Sequence, residues 1–385
     1  MAKVKFGDVV KEVKNKIDRN NNPYEFYVAG DHMDTDRLSI PRRGSFLTDD
    51  VGPAFIREFK KGQVLYGSRR TYLRKVAVAD FDGVTANTTF VLETKDENVL
   101  RQRLLPFIMY TEGFTAWSIK KSRGSTNPYV LFKDLADYEF DLPSIKEQDK
   151  LAEVLWSIND TLQAYQNLLA ETDELINAQF ETLFGEGQWK TVSADTIFTD
   201  MSNGVSPSSK GECKEKVLTL SAITQGAFDP SAWKQGMFDT PPSEDKRICT
   251  EDFYMCRGNG NRALVGVGVY STEERPDLVY PDTVIAAHID KQKVCLPYLC
   301  CAWKQHFVRD QIEAAAKTTN GIYKINQKSL SQVQIILPPL TLQHKFSEFL
   351  FQTDKAKSTI QNTIISLQST KHCIVENALG TGRKE

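Results

Sequence analysis

The chain of 385 residues, 41% hydrophobic and 25% charged, suits two or more ordinary globular domains and is too apolar for a disordered or fibrous one. Its 48 basic residues meet 50 acidic ones for a net charge of −2, which excludes a protein coated with nucleic-acid-binding charge; any DNA affinity must come from local patches or from partners. No apolar run nears the roughly 20 residues that span a bilayer, the opening "MAKVKFGDVVKEVKNK" lacks a signal-peptide core, and the seven cysteines form no CxxC pair, so a cytoplasmic chain with reduced thiols and no metal site is expected.

Residues 1–141 read as mixed α/β with short strands, as in "QVLYGSRRTYLRKVAVADF", where β-branched and aromatic residues lie between turn formers. Within "KKGQVLYGSRRTYLRK" (60–75), Lys61, Arg69, Arg70, Arg74 and Lys75 alternate with Tyr66 and Tyr72. Arginine forks fit guanine edges and phosphates, and the glycines allow close backbone approach. "KKSRGSTNPY" (120–129) is a second polar loop, offering Arg123, Ser125 and Thr126 for phosphate contacts that set register.

At 142–187 a proline-bearing start, "LPSIKEQDKLAEVL", opens a long helix. Leu151, Leu155, Ile158, Leu162, Leu169, Ile176 and Leu183, with Tyr165, Thr172 and Gln179 between them, step by alternating four and three, as the a and d positions of a coiled coil do. Residues 188–336 form a second mixed α/β part. There "CRGNGNRALVG" (256–266) presents Arg257, Asn259, Asn261 and Arg262, and asparagine suits bidentate contact with adenine. "LPYLCCAWKQHFVRDQIEAAA" (296–316) predicts one helix, and "KTTNGIYKIN" (317–326) is another polar loop, with Thr319, Asn320 and Lys324. From 337 to 385 runs a second long helix, whose stripe is Phe346, Leu350, Ile360, Ile364, Leu367 and Ile374, with Thr353, Lys357, Lys371 and Ala378 in the same register.

The two long helices are copies. A shift of 195 pairs Leu142 with Leu337, Pro143 with Pro338, Gln148 with Gln343 and Leu155 with Leu350, and runs ungapped to Gly185 against Gly380. The same shift sets "YVLFKDLADYEFDLP" (129–143) against "KINQKSLSQVQIILP" (324–338), and "DGVTANTTFVL" (82–92) against "DLVYPDTVIAA" (277–287). Two stripes in one ungapped register imply duplication of the whole unit of globular part plus helix. So long a stripe cannot bury itself, and its natural partner is the other copy.

No catalytic constellation appears. "NNPY" (21–24) and "TNPY" (126–129) lack the second proline of the motif with which adenine methyltransferases hold a flipped base, and no cofactor-binding glycine fingerprint accompanies them. After Asp290, the lysines Lys291 and Lys293 stand at the wrong offsets for a nuclease motif, and "CRGNGN" lacks the lysine of a phosphate-binding loop.

Over its whole length the sequence resembles the specificity (S) subunits of type I restriction–modification systems. The resemblance rests on the doubled "LPxxxxQxKxxExL" starts at Leu142–Leu155 and Leu337–Leu350, on "KGQVLYGSRRTYLRKVAVADFDG" (61–83), and on "QWKTVSADTIFTDMSNGVSPSSKG" (188–211), which is similar to the opening of a target recognition domain and adds Ser206 and Lys210 to the candidate DNA contacts. It implies an α+β fold: two α/β target recognition domains (1–141 and 188–336) alternating with two spacer helices (142–187 and 337–385) that form an antiparallel coiled coil, pseudo-two-fold symmetric. It implies a non-catalytic subunit of a phage-defence complex that reads a bipartite site in double-stranded DNA. Two methyltransferase (M) subunits and the restriction–translocase (R) subunits would carry S-adenosylmethionine, ATP and Mg. Helices of this length would set the two half-sites about one duplex turn, roughly 34–36 Å, apart. Lys357 and Lys371 depart from an apolar seam and require either an acidic partner, such as Glu171, Asp173 or Glu174, or a route for the lysine tips to solvent. The competing reading is a protein-interaction scaffold, with duplicated binding domains on a coiled-coil arm.

Overall fold

The computed structural model describes residues 2–185, 189–208, 210–319 and 321–380, so the expected boundary near residue 187 lies outside the described residues. The chain divides into two compact units, Met1–Leu168 with Thr359–Glu385, and Leu169–Ser358. This division cuts through both long helices, Ile145–Phe184 and Leu340–Leu379, each 40 residues and about 60 Å long. Each unit therefore owns one globular part, the first half of its own helix and the second half of the other.

The repeated helix start has a physical reason. Pro143 cannot continue a helix backwards, and Ser144 then caps the first one: its backbone N–H and hydroxyl both donate to Glu147 Oε2, at 2.9 and 2.7 Å. Four residues into each helix start stands a fully buried glutamine. Gln148 Oε1 accepts from Arg101 N (2.9 Å), while its Nε2 donates to the carbonyls of Val99 (2.9 Å) and Pro143 (3.0 Å). Gln343 repeats the clamp in the other unit, accepting from Cys295 N (3.0 Å) and donating to the carbonyls of Lys293 and Pro338 (2.9 Å each).

In the first unit the strands are β1 (Ala2–Lys5), β2 (Val10–Val13), β3 (Phe26–Val28), β4 (Gly44–Ser45), β5 (Phe55–Phe59), β6 (Val64–Gly67), β7 (Val76–Val78), β8 (Gly83–Ala86), β9 (Thr89–Thr94) and β10 (Glu139–Leu142). They form two four-stranded sheets, β2-β9-β6-β7 and β4-β3-β8-β5, and a β1-β10 pair. In the second unit they are β11 (Thr191–Ser193), β12 (Phe198–Asn203), β13 (Cys213–Leu218), β14 (Trp233–Phe238), β15 (Arg247–Ile248), β16 (Asp252–Cys256), β17 (Gly258–Asn259), β18 (Gly268–Tyr270), β19 (Arg275–Val279), β20 (Val284–Ile289), β21 (Lys317–Thr319), β22 (Ile322–Lys324) and β23 (Gln334–Ile336). Here the sheets are β12-β20-β16-β18 and β14-β13-β19-β15, with a β11-β23 pair and a β17-β22-β21 ribbon. The orders match sheet for sheet. Each unit also pairs two strands in parallel, β3 with β8 and β13 with β19, in the equivalent sheet. The duplication inferred from sequence thus extends through the strand topology.

In the first unit Phe6, Phe107, Phe114 and Phe140 pack with Leu155 of one long helix and Val375 and Leu379 of the other. In the second, Phe180 and Phe184 pack with Phe346, Leu350 and Tyr298. In both units the start of one helix thus meets the end of the other, an antiparallel pairing. Every stripe position of both helices is buried or half-buried. Of the two seam lysines, Lys357 pairs with Asp173 at 2.5 Å, whereas Lys371 lies 5.3 Å above the Tyr110 ring without an ion pair among the described residues.

One expected element is corrected. The helix predicted over 296–316 is two helices, Leu296–Lys304 and His306–Ala315, broken at an extended Gln305 (φ −64°, ψ 145°). The break turns the second helix so that Val308 and Ile312 join the core beneath Gly266, whose close contact with Ile312 leaves no room for a side chain.

Candidate nucleic-acid interface

The four polar loops singled out in the sequence form two pairs. In the first unit, Ser68 N–H and Oγ both donate to Thr88 O (3.1 and 2.6 Å), and Val130 N–H returns to Ser68 O (2.9 Å). Arg70 N–H donates to Pro128 O at 2.6 Å. Arg123 and Tyr129 exchange both backbone hydrogen bonds (2.8 and 2.9 Å), and Arg69 bridges to Tyr129 from the other side. The 68–75 loop and the 122–129 hairpin therefore make a miniature sheet in the order 69, 129, 123. In the second unit the same three-part order is the β17-β22-β21 ribbon, with Gly258 opposite Lys324 and Asn259 opposite Tyr323. Arg257 N–H donates to Thr283 O (2.8 Å) and Ile325 N–H returns to Arg257 O (2.9 Å), repeating the Ser68 bonds. Gly258 keeps this approach close: a Cβ there would stand 3.2 Å from Lys324 Cγ, and the lysine stem would have to shift slightly.

Two arginines in the first loop adopt left-handed backbone, Arg70 and Arg74, both with φ 48°. Each such residue costs about 1–2 kcal/mol, offset here by the carbonyl of Pro128 and the 3-10 turn Thr71–Leu73 between them. The outcome is an exposed face of Arg69, Arg70, Tyr72 (52% exposed) and Tyr129 (42%), with Ser125 and Thr126 exposed at the tip of the hairpin. Arg69 and Arg70 carry no ion pair among the described residues, so both forks remain available for phosphates or guanine edges. Arg123 is more committed, since both oxygens of Asp134 hold it at 2.8–2.9 Å.

Other expected contacts are placed elsewhere. Tyr66 is a core residue: 2% exposed, stacked on Phe90 and edge-on to Phe114, its hydroxyl pushed up to about 12 by burial. It cannot touch DNA. The cause is that β6 is buried on both faces, so its side chains do not alternate between core and solvent. Lys61 lies at the opposite end of β6 from the loop pair, its N–H on Asp82. Arg74 turns inward to Asp36 (2.6 Å) and Tyr110 O (3.0 Å), and Lys75 donates to Gly30 O; both fasten the loop from behind.

In the second unit Asn259 and Asn261 spend their side-chain oxygens on backbone N–H groups of the same loop (2.9 and 3.1 Å). The expected two-point contact with adenine would have to share those oxygens. Arg262 donates twice to Glu313 O, and Arg257 Nη1 to Asp282 O. Lys324 is exposed on β22. Ser206 and Lys210 are exposed on the connection after β12, which is tied to Tyr280 and Asp282 beside the Arg257 loop. Thr319 ends β21, and Asn320 lies outside the described residues. Sequence reading quoted Tyr129 only as an end residue, as in "KKSRGSTNPY", and did not single out Arg309, whose Nη2 holds the Ala263 and Val265 carbonyls at 2.9 Å from beneath the loop.

No helix among the described residues is long and apolar enough to cross a membrane. Residues 1–172 match the family model described as the type I restriction modification DNA specificity domain. The type I restriction enzyme EcoDI specificity subunit of Escherichia coli is 27% identical over 197 residues, which is 49% of this chain and 43% of that protein, so the match spans less than half the relative's length. Two solved chains share the fold over nearly their whole length. The S subunit of the type I restriction–modification system of M. genitalium has a TM-score of 0.58 at 15% identity, covering 97% of this chain and 95% of that one. A chain from work on complex assembly and conformational transition of the type I R-M system has a TM-score of 0.56 at 18% identity, covering 98% and 97%.

Proposed function

We propose that the chain, whose residues 1–172 match a type I restriction modification DNA specificity domain and whose fold is shared with an S subunit, is a non-catalytic subunit that reads a bipartite DNA target for a restriction–modification complex in the cytoplasm. The observation that carries the reading is the doubled loop pair: one three-part ribbon in each unit, with unpaired arginines on the first. Each ribbon reads one half-site, and the long helices fix the non-specific spacer between them. Methyltransferase and restriction subunits dock on the chain and bring S-adenosylmethionine, ATP and Mg. Exposed apolar side chains on the helices support that docking: Val154, Leu168 and Ile365 in the first unit, Leu175 and Phe351 in the second.

Arg69→Ala and Arg70→Ala test the reading. With the methyltransferase partner present, each loses about 1–3 kcal/mol of DNA binding, roughly 5- to 150-fold, while subunit assembly is unchanged. DNA affinity equal to wild type in the double variant would leave the scaffold reading in its place.

A further inference from the structure

Within the first unit a cavity of 310 Å³ opens between the long-helix segments and the back of the recognition loop. Its volume is at the lower end of small-ligand sites. Its walls are unusually polar for a helix seam. Arg37, Arg74, Lys371 and His372 line it with Asp36; Arg74 is held by Asp36 at 2.6 Å and Arg37 by Asp34 at 3.5 Å, which leaves Lys371 as the lysine or arginine of the lining without an ion pair among the described residues. Gln166 and Gln368 line it too, and neither makes a side-chain hydrogen bond among the described residues.

Lys371 is the anomaly. It occupies a seam position where an apolar residue would pack, and burial lowers its pKa from the ordinary value. An ammonium taken out of water without a carboxylate partner weakens the fold. The duplicated unit shows the alternative. The shift of 195 sets Ile176 opposite Lys371, Phe180 opposite Val375, and the Lys357–Asp173 pair opposite Leu162 and Gln368. There Phe180, at the position of Val375, stacks on Tyr298 (5.9 Å) and stands edge-on to Phe346 (5.6 Å). The cation in this seam is therefore no requirement of the architecture. One copy has Ile176 at the position where the other has Lys371, beside the amides of Gln166 and Gln368.

We propose that this cavity is a binding site for a small oxyanion, phosphate- or carboxylate-bearing, whose charge is taken by Lys371 and whose oxygens are held by Gln166 and Gln368. Arg74 links the site to the loop of Arg69 and Arg70, because its guanidinium spans Asp36 and the Tyr110 carbonyl at the cavity wall. Occupancy would thus stiffen the loop from behind.

The test needs no DNA, so its outcome is separate from that of the DNA-reading proposal. Thermal unfolding of the purified full chain is followed in sodium phosphate, sodium malonate and sodium chloride at matched ionic strength. A saturable rise in midpoint over chloride, roughly 3–6 °C at ten times the dissociation constant, is the expected result. The salt that saturates at the lower concentration tells phosphate from carboxylate. Lys371→Met abolishes the saturable rise and Lys371→Arg keeps it. Gln368→Leu, at an exposed position, weakens it and serves if the methionine variant fails to fold. A rise that never saturates, or one of equal size in Lys371→Met and Gln368→Leu, overturns the site.

Discussion

Replacing Gln148 or Gln343 with alanine measures what the repeated helix start does. Each glutamine is wholly buried and satisfies one backbone N–H and two carbonyls at 2.9–3.0 Å. Alanine strands all three groups. A stranded buried group costs about 1–3 kcal/mol, and carbonyls, with a second lone pair, sit at the low end. The expected loss is therefore about 3–5 kcal/mol at either site, which lowers the midpoint of the affected unit by roughly 6–20 °C. Glutamate is worse than alanine, because it keeps the acceptor for Arg101 or Cys295 but turns a second oxygen toward two carbonyls. Calorimetry gives the midpoints, and amide exchange at 99–103 or 293–297 shows which unit has opened. The two sites lie in different units, so their costs add. A loss below about 1 kcal/mol, or a glutamate variant milder than alanine, would refute the clamp.

Arg309→Ala removes two hydrogen bonds under the 3-10 turn Arg262–Leu264 and is expected to weaken recognition of one half-site about tenfold, leaving the other half-site unchanged in methylation mapping. Inserting four residues near Asn167 adds about one helical turn and is expected to lengthen the recognised spacer with both half-sites preserved; an unaltered spacer in the methylome would sink the ruler. In the absence of added oxyanion, Lys371→Met is expected to raise stability at neutral pH, and pH titration of the unfolding midpoint checks the cause. Burial depresses the Lys371 pKa in the folded chain. Between that value and the unfolded one the unfolded chain binds more protons, so wild-type stability climbs with pH through this window. The methionine variant lacks that climb, and its advantage fades as pH approaches about 10.5.

The long helices were legible because a four-three stripe repeated over 40 residues is a local signal, and duplication supplied a second reading of it. The role of the glutamine was not. Gln148 and Gln343 stood out as repeated, but their partners at Val99, Arg101, Lys293 and Cys295 are nearly fifty residues upstream, and nothing local marks a backbone carbonyl as needing a donor. The helix broken at Gln305 failed for a related reason, since an unbroken apolar pattern conceals a change of direction that only the Ile312–Gly266 contact demands.

The four loops illustrate the same boundary between local and non-local information. Composition found each one, but strand register alone brings them into pairs. That register also changes the correspondence between the units. Tyr66 opposes Phe90 as Met255 opposes Ile285, so β6 and β16 run at an offset of 189 where the later strands and helices keep 195. Under the corrected offset Arg69 matches Gly258, and Arg70 matches Asn259. Where the first ribbon offers two unpaired guanidiniums, the second offers a bare backbone crossed by the stem of Lys324 and an asparagine occupied in its own turn. The same ribbon topology thus carries different chemistry in its two copies. In the proposed reading of a split target that division has a use: a shared fold fixes where each loop pair is held, and the side chains, free to diverge, would determine which bases each half accepts.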